Sequence, residues 1–116
     1  MKKAIVFPSG RGIPSVVDVP NEYDYKWMQE QVGGWIEIVR PRRLPDGFVM
    51  IVDEEGLLKE KPLNMVGSWF YETDKHGSPI VGDVLIMKEE FGDEGPECVG
   101  MTEEEVDKIF KIIGRD

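Results

Sequence analysis

Phe48-Val49-Met50-Ile51-Val52 is an unbroken apolar stretch between the turn Pro45-Asp46-Gly47 and the acidic turn Asp53-Glu54-Glu55-Gly56. It is too short for a core helix and rich in β-branched side chains, so it reads as a strand. A strand without alternating polar positions belongs in the middle of a sheet. Upstream, residues 35–40 (Trp-Ile-Glu-Ile-Val-Arg) alternate and read as a second strand, joined to the first by the connector 41–47. Before that, Asn21 is a good helix N-cap, and Glu22 and Asp24 suit the first turn. The predicted helix runs to Val32, with Tyr25, Met28 and Val32 as a buried stripe and Trp27 beside it, and ends at Gly33-Gly34. Residues 3–8 and 13–19 read as a hairpin around Ser9-Gly10-Arg11-Gly12, with Pro14 placing the second strand at a sheet edge.

Downstream, residues 57–79 read as a covering loop or a helical turn after Pro62, with the aromatic run Trp69-Phe70-Tyr71 in that irregular segment. Residues 74–79 carry turn chemistry. Residues 80–87 read as a last strand with a bulge at Gly82, and 89–100 as a mobile acidic surface loop. Thr102-Glu103-Glu104-Glu105 is a capping box. Val106, Ile109, Phe110 and Ile113 follow it at helical spacing, and Gly114 closes the helix. The order β-β-α-β-β-(loop or helix)-β-α lacks βαβ alternation. It predicts an α+β domain: about five strands in an antiparallel or mixed sheet, with helices on one face.

The chain has 116 residues, which fits a single domain spanning 1–116. At that size folding buries about two-thirds of the unfolded chain's surface, so a core is possible without staples. Hydrophobic residues at 41% and charged residues at 32% are ordinary globular composition. The net charge of −9 repels a phosphate backbone and argues against general nucleic-acid binding, while suiting a basic partner. Cys98 is the only cysteine, so no internal disulfide forms and a reducing compartment is expected. The apolar run after Lys2-Lys3 stops at Pro8, short of a signal core. No stretch approaches the roughly 20 apolar residues of a membrane span. Together these predict a cytoplasmic protein with no membrane partner.

Four segments then line up in order. They are residues 32–37 (Val-Gly-Gly-Trp-Ile-Glu); 52–59 (Val-Asp-Glu-Glu-Gly-Leu-Leu-Lys) continuing to Pro62-Leu63-Asn64; 80–86 (Ile-Val-Gly-Asp-Val-Leu-Ile); and 101–106 (Met-Thr-Glu-Glu-Glu-Val). Together they resemble domain-of-unknown-function family 3846, a small domain of bacteriophages, plasmids and their bacterial hosts. The resemblance covers most of residues 1–113, and the acidic stretch 91–100 looks like an insertion relative to shorter members. The family supplies no established catalytic residues. The resemblance implies a phage or mobile-element setting, where small accessory proteins often inhibit a host protein or sequester a host signalling molecule.

The chemistry legible in the residues is that of binding. His76 is the only histidine and sits in a turn. Cys98 lies among Asp93, Glu94 and Glu97, which disfavour a thiolate. No catalytic constellation, cofactor motif or metal-ligand spacing is present. Arg40, Arg42 and Arg43 gather within four residues of an acidic chain; their planar forks fit carboxylates and phosphates and stack on bases. Trp35, Trp69 and Tyr71 can stack on a base or anchor an interface. Arg11, flanked by glycines, offers a further anion contact. Asn64 either fixes a turn or reads an amide or base edge. Strand alternation puts Trp35 and Arg40 on opposite faces, which favours a site at a strand end or between the subunits of a homo-oligomer. The expectation is a non-enzymatic binding protein, with Arg11, Trp35, Arg40, Arg42, Arg43, Asn64, Trp69 and Tyr71 as candidate ligand contacts. Its partner would be a small anionic nucleotide-like ligand, as in phage counter-defence, or alternatively a basic host protein that the chain engages as an inhibitor or acidic mimic.

Overall fold

The computed structural model describes residues 2–10, 12–22 and 25–114. Its elements are β1 (Lys3–Phe7), β2 (Ser15–Asp18), α1 (Tyr25–Val32), β3 (Ile36–Val39), β4 (Phe48–Asp53), α2 (Met65–Tyr71), α3 (Thr73–His76), β5 (Val84–Gly92), β6 (Gly95–Val99) and α4 (Glu103–Ile112). Every strand pairing is antiparallel. The sheet runs β2-β1-β5-β4-β3, with β6 also paired to β5. Ile86 lies between Met50 of β4 and Ile5 of β1, while Lys88 lies between Phe48 of β4 and Val99 of β6. β1 and β6 therefore share one edge of β5 in succession.

This is the α+β, antiparallel architecture the sequence predicts, with two differences in its layers. First, helices cover both faces. Ile5, Phe7, Phe48, Met50, Val52, Val84 and Ile86 point to one side and pack with Phe70 of α2 and with Val106 and Ile109 of α4. Their neighbours Ala4, Val49, Ile51, Leu85 and Met87 point to the other side and pack with Met28 and Val32 of α1. Alternation sends successive side chains to opposite faces. A strand such as β4, buried at all of its positions, therefore requires a cover on each side. Second, the acidic stretch 89–100 is not a loop: it forms the end of β5 and the whole of β6.

Local chemistry sets the remaining boundaries. The capping box forms: the Thr102 hydroxyl accepts the Glu105 N–H at 3.2 Å, and the Glu105 carboxylate accepts the Thr102 N–H at 2.9 Å. Residues 69–71 lie on helix α2 rather than in a loop, because the buried Asn64 caps that helix, accepting the Gly67 N–H at 2.8 Å. Gly82 precedes β5 rather than bulging it; its φ of +76 brings its N–H to the Pro62 carbonyl. Asn21 and Glu22 precede α1 as a bend, and Asp24 lies outside the described residues. Tyr25, expected in the buried stripe, is 63% exposed.

Candidate functional site

The basic connector follows β3 and is held against the α2 side of the sheet by Leu44, which is buried and joins the core there. Facing it, α2 ends at Glu72 in the left-handed region, φ +58, after which α3 begins. That turn points the Glu72 carboxylate inward, where its side chain is only 6% exposed. Arg42 Nη2 donates to both of its oxygens at 3.0 Å. Arg43 Nε lies 3.4 Å and Lys75 Nζ 3.6 Å from the same carboxylate. The Arg42 hydrogen bond, helped by the charges of Lys75 and Arg43, outweighs burial and holds the Glu72 carboxyl below its ordinary range. Arg43 also donates to the Trp69 carbonyl at 2.7 Å and lies 4.6 Å over the Trp69 ring. Arg40 pairs through two nitrogens with Glu89 of β5, its Nε donating at 2.9 Å.

These elements enclose a groove of about 550 Å³ lined by Val39, Arg40, Pro41, Arg42, Tyr71, Glu72, Lys75 and His76. The Tyr71 and His76 rings lie against each other, centroids 4.9 Å apart and planes tilted by 40°. Cationic side chains thus stand beside an aromatic wall. Glu72 fixes the position of Arg42, whose side chain remains 75% exposed. A guanidinium locked in place can meet an anion without losing further rotamer freedom.

The structure brings Arg40, Arg42 and Tyr71 together in this groove and places Arg43 and Trp69 beside it, stacked on each other. Lys75 and His76 complete the groove and were missed as ligand contacts. Both were read as part of a turn at 74–79; instead they lie on the short helix α3, which starts directly after the left-handed Glu72 and is closed by Gly77 at φ +80, and this places them beside Tyr71. Trp35 stands apart, at the opposite end of β3 from Arg40 and 63% exposed. Arg11 lies outside the described residues. Asn64 is fully buried; its amide donates to the Phe7 and Gly82 carbonyls at 2.8 Å each while its oxygen caps α2. It fixes the chain and has no donor left for a ligand.

Cys98 and His76 line different cavities. Burial, reinforced by the Glu89 charge, pushes the Cys98 thiol up to about 11, so it stays protonated at neutral pH. Among the described residues no three of His, Cys, Asp and Glu cluster as a metal site, and no helix is long and apolar enough to cross a membrane.

At the other end of the sheet, three of the segments on which the family resemblance rests meet. The Asp53 side chain, fully buried, accepts from Lys59 at 2.9 Å and pairs with Lys61 at 2.6 Å. Lys61 also donates to the Val32 carbonyl at the end of α1 at 2.9 Å. A Cβ on Gly34 would fall within 2.6 Å of the Asp53 carboxylate, and one on Gly82 within 2.8 Å of the Lys61 stem. Asp83 accepts the Ser9 N–H at 2.9 Å. These contacts join α1, β4 and the approach to β5, so the three segments hold this corner of the fold together.

Fold and groove together define a small α+β domain with a basic, aromatic-walled concavity between the β3–β4 connector and the α2–α3 corner. The chain belongs to the family described as a domain of unknown function, DUF3846, whose model matches residues 1–114. No curated protein and no solved structure matches it.

Proposed function

We propose that this chain is a non-enzymatic binding module that holds a small anionic, nucleotide-like molecule in the groove between the connector and the α2–α3 corner. The observation that carries this reading is local charge reversal. In a chain of net charge −9, this groove gathers Arg40, Arg42 and Lys75 beside the Tyr71–His76 pair. Guanidinium and ammonium groups suit phosphate oxygens, and the half-buried Tyr71 ring with the exposed His76 ring suits stacking on a base. The family resemblance adds a setting in phages and mobile elements, where sequestering a host signalling nucleotide would serve counter-defence in the host cytoplasm.

The test is calorimetry with a panel of cyclic nucleotides and ADP-ribose-like molecules. Lys75→Gln and Tyr71→Leu are the informative variants, because Arg42 also satisfies the buried Glu72 and its loss mixes binding with folding. Each lost charge-assisted bond is expected to weaken binding by about 1.5–3 kcal/mol, roughly ten- to a hundredfold. If the wild-type chain binds none of the panel, the reading fails. If it binds and Lys75→Gln binds equally well, the ligand sits elsewhere.

A further inference from the structure

The strands β2 and β3 form the two outer edges of the sheet, and they are finished differently. On β2 the Val19 N–H donates to the Lys2 carbonyl at 2.9 Å, so Val19, Val17 and Ser15 turn their backbone groups toward β1. Residues 14, 16, 18 and 20 face outward, and Pro14 and Pro20, which bracket the strand, have no N–H to offer there. On β3 the Glu54 N–H donates to the Trp35 carbonyl at 2.8 Å, so Trp35, Glu37 and Val39 face β4. Ile36, Ile38 and Arg40 turn their N–H and C=O groups outward, where no backbone hydrogen bond among the described residues meets them.

This open edge has opposite charge at its two ends. Near Trp35 stand the exposed Glu37 and the turn Glu54-Glu55, while Lys59 and Lys61 of that end are both held by the buried Asp53. At the other end stand Arg40, Arg42 and Arg43. Antiparallel pairing with a second copy sets each end against its opposite, and a twofold interface repeats the contact. Centred on Glu37, the pairing would bring two glutamates face to face. Centred on Ile36, it would call on the Gly34 N–H, already donated to the Gln29 carbonyl at 3.2 Å. Centred on Ile38, it sets Ile38 against Ile38, Glu37 against Val39 and Ile36 against Arg40. Trp35 of one copy then falls across from Pro41 of the other, on the α2 side of the sheet, where Pro41 lines the anion groove.

We propose that two copies of this chain pair through β3 in that register, and that Trp35 of each copy stands at the rim of the other's anion groove. Trp35 is 63% exposed and takes no part in the groove of its own copy. In the pair it gives a base a further ring to lie against, beside the arginines that hold the phosphates. That role rests on the nucleotide reading above; the pairing itself does not.

Sedimentation of the full chain tests the pairing without any ligand, and a dimer is expected. Ile38→Pro removes an outward N–H, and Glu37→Lys, at an exposed position, sets like charge beside the partner's arginines. Each should raise the dimer dissociation constant about tenfold or more. Val16→Pro removes an outward N–H from β2 and should leave that constant within about twofold. The register is read from a bimane label at Lys75→Cys in a Cys98→Ser background. Trp35→Phe should brighten the label in the dimer and leave it unchanged in the Glu37→Lys monomer. With a nucleotide that the groove binds, Trp35→Ala should weaken affinity roughly five- to a hundredfold. A monomer, equal effects of Ile38→Pro and Val16→Pro, or a label indifferent to Trp35 would each overturn the proposal. A dimer with a quenched label that binds no nucleotide supports the pairing and overturns the nucleotide reading instead.

Discussion

Asn64 shows how much one side chain can organise. It joins β1, the approach to β5 and the start of α2 through three hydrogen bonds made entirely out of contact with water. Asn64→Ala would orphan two buried carbonyls and remove a helix cap, for an expected loss of about 3 kcal/mol or more, read as a lower urea midpoint. A midpoint within 1 kcal/mol of wild type, the worth of a single ordinary hydrogen bond, would show that water replaces the amide. Gly34 is constrained by its surroundings rather than by its own torsions: a methyl there meets Asp53 and Lys59. Gly34→Ala is therefore expected to cost about 2 kcal/mol, chiefly by separating a buried ion pair. Neither residue could have been placed from sequence alone, because their partners lie far along the chain.

At the scale of elements, α4 is local in its origin. Its cap, first-turn acids and apolar spacing all lie within the segment. Thr102→Ala should lower stability by about 1 kcal/mol. Along its stripe, burial is unequal: Ile109 is fully buried, whereas Phe110 is partly exposed and meets Phe7 edge-on at 6.1 Å. Ile109→Ala is thus expected to cost about 3–4 kcal/mol and Phe110→Ala nearer 2. Equal losses in chemical denaturation would show that the Phe110 ring is better packed than its exposure suggests. The β5–β6 ribbon is the contrasting case. Its residues, rich in glutamate and glycine, have weak strand propensity, and it is ordered by continuing a strand whose first half is central to the sheet.

Across the whole molecule, buried or half-buried carboxylates tie distant parts together, and their ionisation links stability to pH. For Asp53, burial raises the carboxyl, but hydrogen bonds from Lys61, Lys59 and the Glu55 N–H outweigh it, leaving it below its ordinary value of 3.8. Glu72 and Glu89 are likewise held below 4.5, each first by its arginine. A carboxyl depressed in the folded state contributes fully above its unfolded value and loses that contribution as pH falls through its folded value. Thermal stability should therefore hold steady from neutrality down to about pH 5 and fall progressively below 4.5. Asp53→Asn should flatten that fall while lowering stability at pH 7. A variant with the wild-type acid profile would remove Asp53 from the account.

The sequence by itself determined the class of fold, the strands around residues 3–7, 36–39 and 48–53, and the C-terminal helix with its cap. Each is written in short-range periodicity or in residues a few positions apart. It also marked the arginine cluster and Tyr71, because such side chains are unusual where they stand. Only the tertiary structure decided that helices cover both faces, because the α1 and α2–α4 covers of β4 come from segments distant from it in sequence. Only the structure turned 89–100 into a ribbon, seated Asn64 as a cap, and left Trp35 away from Arg40. Those outcomes depend on which distant group meets a given side chain, and a buried polar atom or a strand edge is satisfied by neighbours in space rather than in sequence. The groove follows the same rule: Arg42 faces Tyr71 because the left-handed turn at Glu72 brings a carboxylate within its reach.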